Sequence, residues 1–309
     1  MDIARLEAHS GEGLPFRVNL EAVNKGVGLV ALGLPFALLA VGLLGNTCAG
    51  IDSISHYYYS RLGGDLLVGA LSFIGTLLLF FYKLPASPGG ATVAVDGYLG
   101  HGRWDMRAAR FAGLCAFGVA LAPTSGTGCE DFAGRTARLF LTGVEGGESR
   151  QPVAGVPSFD FWATLGVGDS VLDFVHFGSA LGMFLVLAYF SLVVFTRPQS
   201  ATAVTAGGAE KDRKKLRNRA YRICGALILV AVAALAIKFL VLDAEGPFAL
   251  EAARERLDWW NGLNLTFWFE ALGLVAFGVS WSLKGRVFDA VRDRGEPNPK
   301  TLAAAQAAS

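Results

Sequence analysis

The sequence predicts an all-α protein: a polytopic membrane bundle of six transmembrane helices with both termini in the cytoplasm. Three observations predict it. Of the 309 residues, 53% are hydrophobic and 17% are charged, where a soluble domain carries about 25% charged residues. The charged residues cluster between long apolar runs. Lys and Arg also concentrate on alternate connections, as the positive-inside rule requires of a multi-pass chain. The net charge of +1 carries no message about nucleic acid, and no nucleic-acid partner is expected.

A helix needs about 20 mostly apolar residues to cross the hydrocarbon core. Six segments meet or approach that length: Gly26–Gly45, Asp65–Tyr82, Met106–Thr124, Val171–Thr196, Ala220–Leu242 and Leu263–Leu283. The third is the least apolar, because Arg107 and Arg110 occupy its first turns. Charge bias argues that it spans. With six spans and an inward N-terminus, 20 of the 27 Lys and Arg lie on the cytoplasmic side. Without the third span, Lys211, Arg213, Lys214, Lys215, Arg217 and Arg219 would be moved outside. Arg107 and Arg110 are expected to snorkel to the inner interface.

The expected organisation is a cytoplasmic arm over 1–25, a membrane domain over 26–285 and a cytoplasmic tail over 286–309. The arm carries Asp2, Glu7, Glu12 and Glu21, unlike the basic start of a secretory signal peptide. The first span is therefore read as a retained helix, with Pro35 expected to kink it. The longest outer loop, about 125–169, offers a short helix at Glu130–Thr142 and an irregular Gly-rich stretch at Gly143–Gly155. Cys48 and Cys129 fall on the outer side, where an oxidising compartment would let them pair. Cys115 and Cys224 fall inside spans. Gly178 and Gly182 form a GxxxG that permits close helix approach. Trp162, Trp259 and Trp260 read as interfacial belt residues. Lys211–Arg222 reads as a topology determinant, with attraction of anionic lipid as the alternative.

The informative feature is a set of ionisable residues at one depth. Asp169, Asp173 and His176 are spaced four and then three apart and share a helix face. Glu270 lies at a similar depth in the sixth span, Asp65 opens the second, and Lys238 is near the outer end of the fifth. Ionisable side chains inside a bilayer are costly and face a bundle interior or wet cavity with a partner. The expected pairings join Glu270 to Lys238 or His176. A purely structural ion-pair network is the competing account.

The run Asp52–Ser60 reads Asp-Ser-Ile-Ser-His-Tyr-Tyr-Tyr-Ser. Tyr57, Tyr58 and Tyr59 serve either as interfacial anchors or as the rim of a pocket. His56 and His176, with Asp65, Asp173 or Glu270, would offer a weak two-histidine metal set, but no HExxH or clustered histidine pattern is present and no metal is expected. His9 and His101 lie on the other side. A Ser-His-Asp arrangement through Ser55 or Ser60 lacks a nucleophile elbow.

Four segments carry a resemblance: SISHYYYSRLGGDLLVGALSFIGTLLLFFYK at 53–83, HFGSALGMFLVLAYFSLVVFT at 176–196, RNRAYRICG at 217–225 and FWFEALGLVAFGVSWSLKG at 267–285. They resemble bacterial membrane proteins of the DUF998 type and, more remotely, the six-span Frag1/DRAM/Sfk1 group. The usual Ile-Ser-Asp of that group stands here as Ile54-Ser55-His56. The resemblance covers most of the membrane core and implies lipid-linked roles.

The function expected is a bacterial inner-membrane protein with an outward-facing polar pocket for a lipid headgroup or small amphiphile. Tyr57, Tyr58 and Tyr59 would rim it, and Asp65, Asp173, His176, Lys238 and Glu270 would line it. The alternatives are an intramembrane lipid hydrolase or transferase using His176 with Asp173 or Glu270, a proton-coupled transporter, and a structural membrane partner. The almost wholly apolar inner halves of the spans argue against the transporter. Membrane lipid is the expected partner, and no nucleotide, haem, flavin or other cofactor is signalled.

Overall fold

The computed structural model describes residues 20–44, 52–59, 61–84, 98–124, 144–145, 148–149, 162, 165–200, 203, 210–242 and 253–288. The expected Cys48–Cys129 pair and the helix expected at Glu130–Thr142 lie outside these residues. Among the described residues there are six long helices: α1 (Leu20–Leu44), α2 (Arg61–Thr76), α3 (Arg103–Leu121), α4 (Asp169–Tyr189), α5 (Asp212–Ile237) and α7 (Leu265–Lys284). A shorter helix, α6 (Ala253–Gly262), links α5 to α7, and a 3-10 turn at Ser55–Tyr59 leads into α2. Within the expected irregular stretch, β1 (Val144–Glu145) and β2 (Glu148–Ser149) form a short antiparallel pair.

Each long helix packs against two neighbours, in the order α1, α2, α3, α4, α5, α7 and back to α1. The centre of this ring is aromatic toward one end. Trp281 lies 4.7 Å from Phe195, 4.8 Å from Phe277 and 5.4 Å from Phe190, ring centre to ring centre. Offset and edge-on contacts of this kind add to the area that the rings bury. Exposed Phe36, Phe80, Phe174, Leu43 and Ile237 cover the outside, the inversion expected where lipid is the solvent.

Five of the long helices are long and apolar enough to cross a membrane: Leu20–Leu43, Leu62–Phe81, Ser170–Val194, Asp212–Val241 and Leu265–Lys284. α3 is not among them. It is a 19-residue helix in the same ring, but its first turns carry Arg103, Asp105, Arg107 and Arg110. Asp105 reaches back to cap it, accepting from the Gly102 N–H at 2.6 Å, as an N3 carboxylate does in a capping box. The exposed Arg103, Arg107 and Arg110 face outward, and the Arg107 guanidinium lies 4.8 Å over the Trp104 ring.

The α1–α7 seam brings two backbones close together. A Cβ on Gly28 would sit 2.5 Å from the Ser282 backbone nitrogen, and one on Gly278 would collide with the Leu32 backbone. This small-residue contact was missed by the GxxxG reading of α4. Gly182 does face α3, where a Cβ would meet Phe111 at 3.1 Å, but Gly178 has nothing within 4 Å. The motif fails there because Gly178 is on the exposed face of α4. α1 is continuous through Pro35. It begins at Leu20 instead of near Gly26, because Leu20, Val23 and Asn24 are buried.

Two aromatic expectations change. Trp259 is exposed as a belt residue would be, but Trp260 is buried and donates to Thr266 Oγ1 at 2.9 Å. That bond joins α6 to the first turn of α7 across Asn264, which takes the left-handed conformation at φ 52°. Trp162 is half-buried and donates to the Leu121 carbonyl at 2.9 Å.

Candidate functional site

At the end of the bundle where α2, α4 and α7 begin, the segment Asp52–His56 gathers side chains from three directions. The Asp52 carbonyl accepts the Phe267 N–H at 2.8 Å. That N–H belongs to the first turn of α7, where the helix has no acceptor of its own. One turn further, the Glu270 carboxyl accepts from the Ser53 hydroxyl at 2.9 Å and from the Ile54 N–H at 2.5 Å. Segment and helix thus complete each other: α7 lacks an acceptor, the turn lacks one too, and each supplies the other.

The next residue reaches α4. Ser55 Oγ lies 2.9 Å from His176 Nε2, and His176 Nδ1 lies 2.7 Å from the Ala122 carbonyl oxygen. A carbonyl can only accept, so Nδ1 carries a proton, and in the neutral imidazole Nε2 accepts from the Ser55 hydroxyl. His176 is buried while Ser55 is half-exposed. The end of α3 therefore orients the imidazole, and the imidazole orients the serine. Asp52 and His56 close the segment, with Asp52 Oδ1 2.6 Å from His56 Nδ1. Burial raises the Asp52 carboxyl, but the hydrogen bond and charge of His56, with Lys238 contributing at longer range, bring it net below the usual carboxylate value.

His176, Glu270 and Lys238 therefore approach one segment, but not through the expected pairs. Glu270 is held by Ser53 and Ile54, and not by Lys238 or His176. The reason is geometric: a turn lying across the first turns of α7 presents a hydroxyl and a peptide N–H directly above the carboxyl. Asp65 is exposed on α2 and Asp173 is half-buried on α4. Tyr57 and Tyr58 are buried in the core, Tyr57 with its ring 6.3 Å from Phe267. They anchor the turn and do not stand at its rim. The side chains of Tyr59 and Asp169 lie outside the described set. Among the described residues, no three His, Cys, Asp or Glu side chains cluster as metal ligands. His56 and His176 are instead engaged by Asp52 and Ser55.

The opposite end carries a second polar assembly. Arg197 donates to Asp105 at 2.8 Å, to the Gly100 carbonyl at 2.9 Å and to Tyr189 Oη at 3.0 Å. His101 donates from Nδ1 to Gln199 Oε1 at 2.9 Å and accepts at Nε2 from Tyr82 at 3.1 Å. Burial pushes this imidazole down to about 2, with the nearby Lys284 charge acting the same way. Lys284 lies 4.1 Å over the Tyr98 ring, and Lys214 donates to the Phe195 carbonyl at 2.8 Å. Lys214, Arg217 and Asn218 are buried, so the basic stretch Lys211–Arg222 is partly core and not wholly a solvated face. Asn24 and the hydrogen-bonded Ser191–Ser280 pair are buried as well. The halves of the spans toward this end are therefore not purely apolar, and their composition does not exclude a transporter.

A signal for these residues existed in the spacing. Lys214, Arg217, Tyr221, Cys224 and Ile228 follow one another by three, four, three and four, and all five are buried. That is the period of a core-facing stripe, continued by long side chains that carry charge. No comparable signal marked Ser53 and Ser55, whose partners lie on helices more than a hundred residues away.

A ring of membrane-length apolar helices with charged groups gathered at both ends defines a multi-pass helical membrane protein. Compared with protein families, curated proteins and solved structures, the chain matches none.

Proposed function

We propose that the chain is a six-span protein of the bacterial inner membrane whose outward end binds a lipid headgroup or small amphiphile. In this reading α3 completes the sixth span, and both termini are cytoplasmic. The exposed Arg103, Arg107, Arg110, Arg213, Lys215, Arg219 and Arg222 lie at the inner end, where the positive-inside rule expects them. The resemblance to DUF998-type proteins, and remotely to the Frag1/DRAM/Sfk1 group, belongs to this proposal and points the same way, toward lipid.

One observation carries the reading: Glu270 and His176, on different helices, both hydrogen-bond to the four-residue stretch Asp52–Ser55. They enter the membrane at similar depths. Glu270 is five residues into Leu265–Lys284 and His176 six into Ser170–Val194, about 8 and 9 Å along the axes at 1.5 Å per residue. The Glu270–Ser53 and Ser55–His176 contacts gather polar groups near that level, and a headgroup at the membrane boundary would bond to the lone pairs these contacts leave over. Asp52 and Lys238 add charge of both signs. Tyr57 and Tyr58 hold the turn in place beneath.

Lipid retention tests the proposal. Full-length protein purified in mild detergent is expected to carry stoichiometric phospholipid by native mass spectrometry. Glu270→Gln should lose most of it while keeping its melting temperature within a few degrees. Equal lipid content in wild type and variant would refute a headgroup site at this end.

A further inference from the structure

We infer that Ser55 is a nucleophile and His176 its general base, and that the chain cleaves or transfers the acyl chain of an ester-linked membrane lipid. The inference deepens the headgroup reading and rests on it for the identity of the substrate. Three features of the geometry carry it. Ser55 Oγ lies 2.9 Å from His176 Nε2, the distance at which a hydroxyl hands its proton to an imidazole. The 2.7 Å bond from Nδ1 to the Ala122 carbonyl selects the tautomer whose Nε2 lone pair faces the serine. His176 is buried while Ser55 as a residue is half-exposed, so a substrate would reach this pair from the side of the serine.

This assignment differs from a hydrolase built on His176 with Asp173 or Glu270. Glu270 is committed to Ser53 and Ile54, and the atom against Nε2 is a serine oxygen. The orienting group is a neutral carbonyl in place of the carboxylate of a full triad. A carbonyl fixes the ring but stabilises the imidazolium less, so slow turnover is expected. The depth suits the substrate. His176 lies about 9 Å below the start of its apolar segment at 1.5 Å per residue. The segment Ser170–Val194 is about 38 Å long and exceeds a hydrocarbon core of about 30 Å by about 4 Å at each end, so His176 lies about 5 Å inside the core, just below the join between headgroup and acyl chain where ester carbonyls lie.

The chemistry balances without a metal or redox partner. Ser55 Oγ bonds to the ester carbonyl carbon as its proton passes to His176 Nε2. The carbon–alkoxy bond then breaks, and the proton moves from Nε2 to the departing alkoxide, leaving an acyl-serine and a free hydroxyl on the lipid. A water molecule, or the hydroxyl of an acceptor lipid, attacks the acyl-serine with His176 again taking the proton. Ser55 is restored, and the product is a carboxylic acid or a new ester.

The test uses the full chain in phospholipid nanodiscs with a lipophilic alkyl fluorophosphonate, read by mass spectrometry of the peptide that contains residue 55. Wild type is expected to give a covalent adduct on Ser55. His176→Gln keeps an acceptor for the serine and a donor for Ala122 but cannot act as a base, so its labelling should fall at least tenfold with the melting temperature retained. Ser55→Cys supplies a second readout. Its thiol should be alkylated by iodoacetamide below the ordinary thiol range, and His176→Gln should abolish that advantage. No adduct on Ser55, together with ordinary alkylation behaviour at Cys in Ser55→Cys, would overturn the inference. Bound phospholipid measured on the same samples separates the two readings: lipid retained with neither an adduct nor an activated thiol defeats the dyad alone, and an adduct without retained lipid defeats the headgroup site alone.

Discussion

Ser53 and Glu270 are joined at 2.9 Å across more than two hundred residues of chain. This contact fastens the connection after α1 to the first turns of α7. The same carboxyl accepts the Ile54 N–H, so it satisfies a hydroxyl and a backbone donor together. Replacing Glu270 by Ala leaves both without that acceptor, and an unsatisfied buried donor costs about 1–3 kcal/mol. Glu270→Ala should therefore lower the melting temperature in detergent, and Glu270→Gln, which keeps one carbonyl oxygen for Ile54, should lower it less. Equal losses for the two would show that the Ile54 bond is absent.

The α1–α7 seam predicts a contrast between two glycines. A side chain at Gly278 collides with the Leu32 backbone, whereas Gly178 faces open space. Overpacking a tight helix contact costs about 1–3 kcal/mol, while Gly to Ala at an open helical position gains up to about 1 kcal/mol. Thermal unfolding should thus show Gly278→Ala destabilised and Gly178→Ala unchanged or improved. A drop at Gly178 would mean that this face is covered by another molecule.

How much of this was legible in the residues divides along range. Helix positions and the shared depth of His176 and Glu270 followed from apolar runs and rise per residue, because both are local. The partners did not follow. Which turn lies over Glu270 depends on how the chain after α1 crosses the bundle, and no spacing encodes that crossing. Tyr57 and Tyr58 were misread for a related reason: tyrosine suits an interface and a core equally, and only the Phe267 contact decides. Lys214 and Arg217 were read only as part of a topology-determining basic stretch, although the stripe through Tyr221 and Ile228 ran on from them.

His101 predicts a pH response at the basic end. Its folded-state pKa of about 2 lies far below the ordinary 6.5, so the folded form binds the imidazole neutral and the unfolded chain takes up the proton first. A depressed folded pKa means that the stability is fully present above pH 6.5 and declines as pH falls toward 2. At pH 5 the loss is about 2 kcal/mol, from about 1.4 kcal/mol per pH unit below the unfolded value. Melting curves between pH 7.5 and 5 should show this slope, and His101→Gln should flatten it. An unchanged slope in that variant would assign the proton uptake elsewhere.

Asp52 predicts a second response at lower pH. Its folded pKa is held below 3.8 by His56 after burial is offset. Its contribution is present above 3.8 and is lost as pH falls through the folded value. Asp52→Asn should be less stable than wild type at pH 6, with the gap narrowing as pH falls below 3.8. A gap between them that stays constant with pH would contradict an ionised Asp52–His56 contact.

The tautomer of His176 tests the account most directly. With only four histidines in the chain, imidazole-labelled protein in nanodiscs can be assigned by comparing wild type with His176→Gln. Nitrogen NMR should find His176 neutral, with its proton on Nδ1 and an Nε2 resonance that moves when Ser55 becomes Ala. A proton on Nε2, with a signal indifferent to residue 55, would mean that α4 and the Asp52–His56 turn do not meet there.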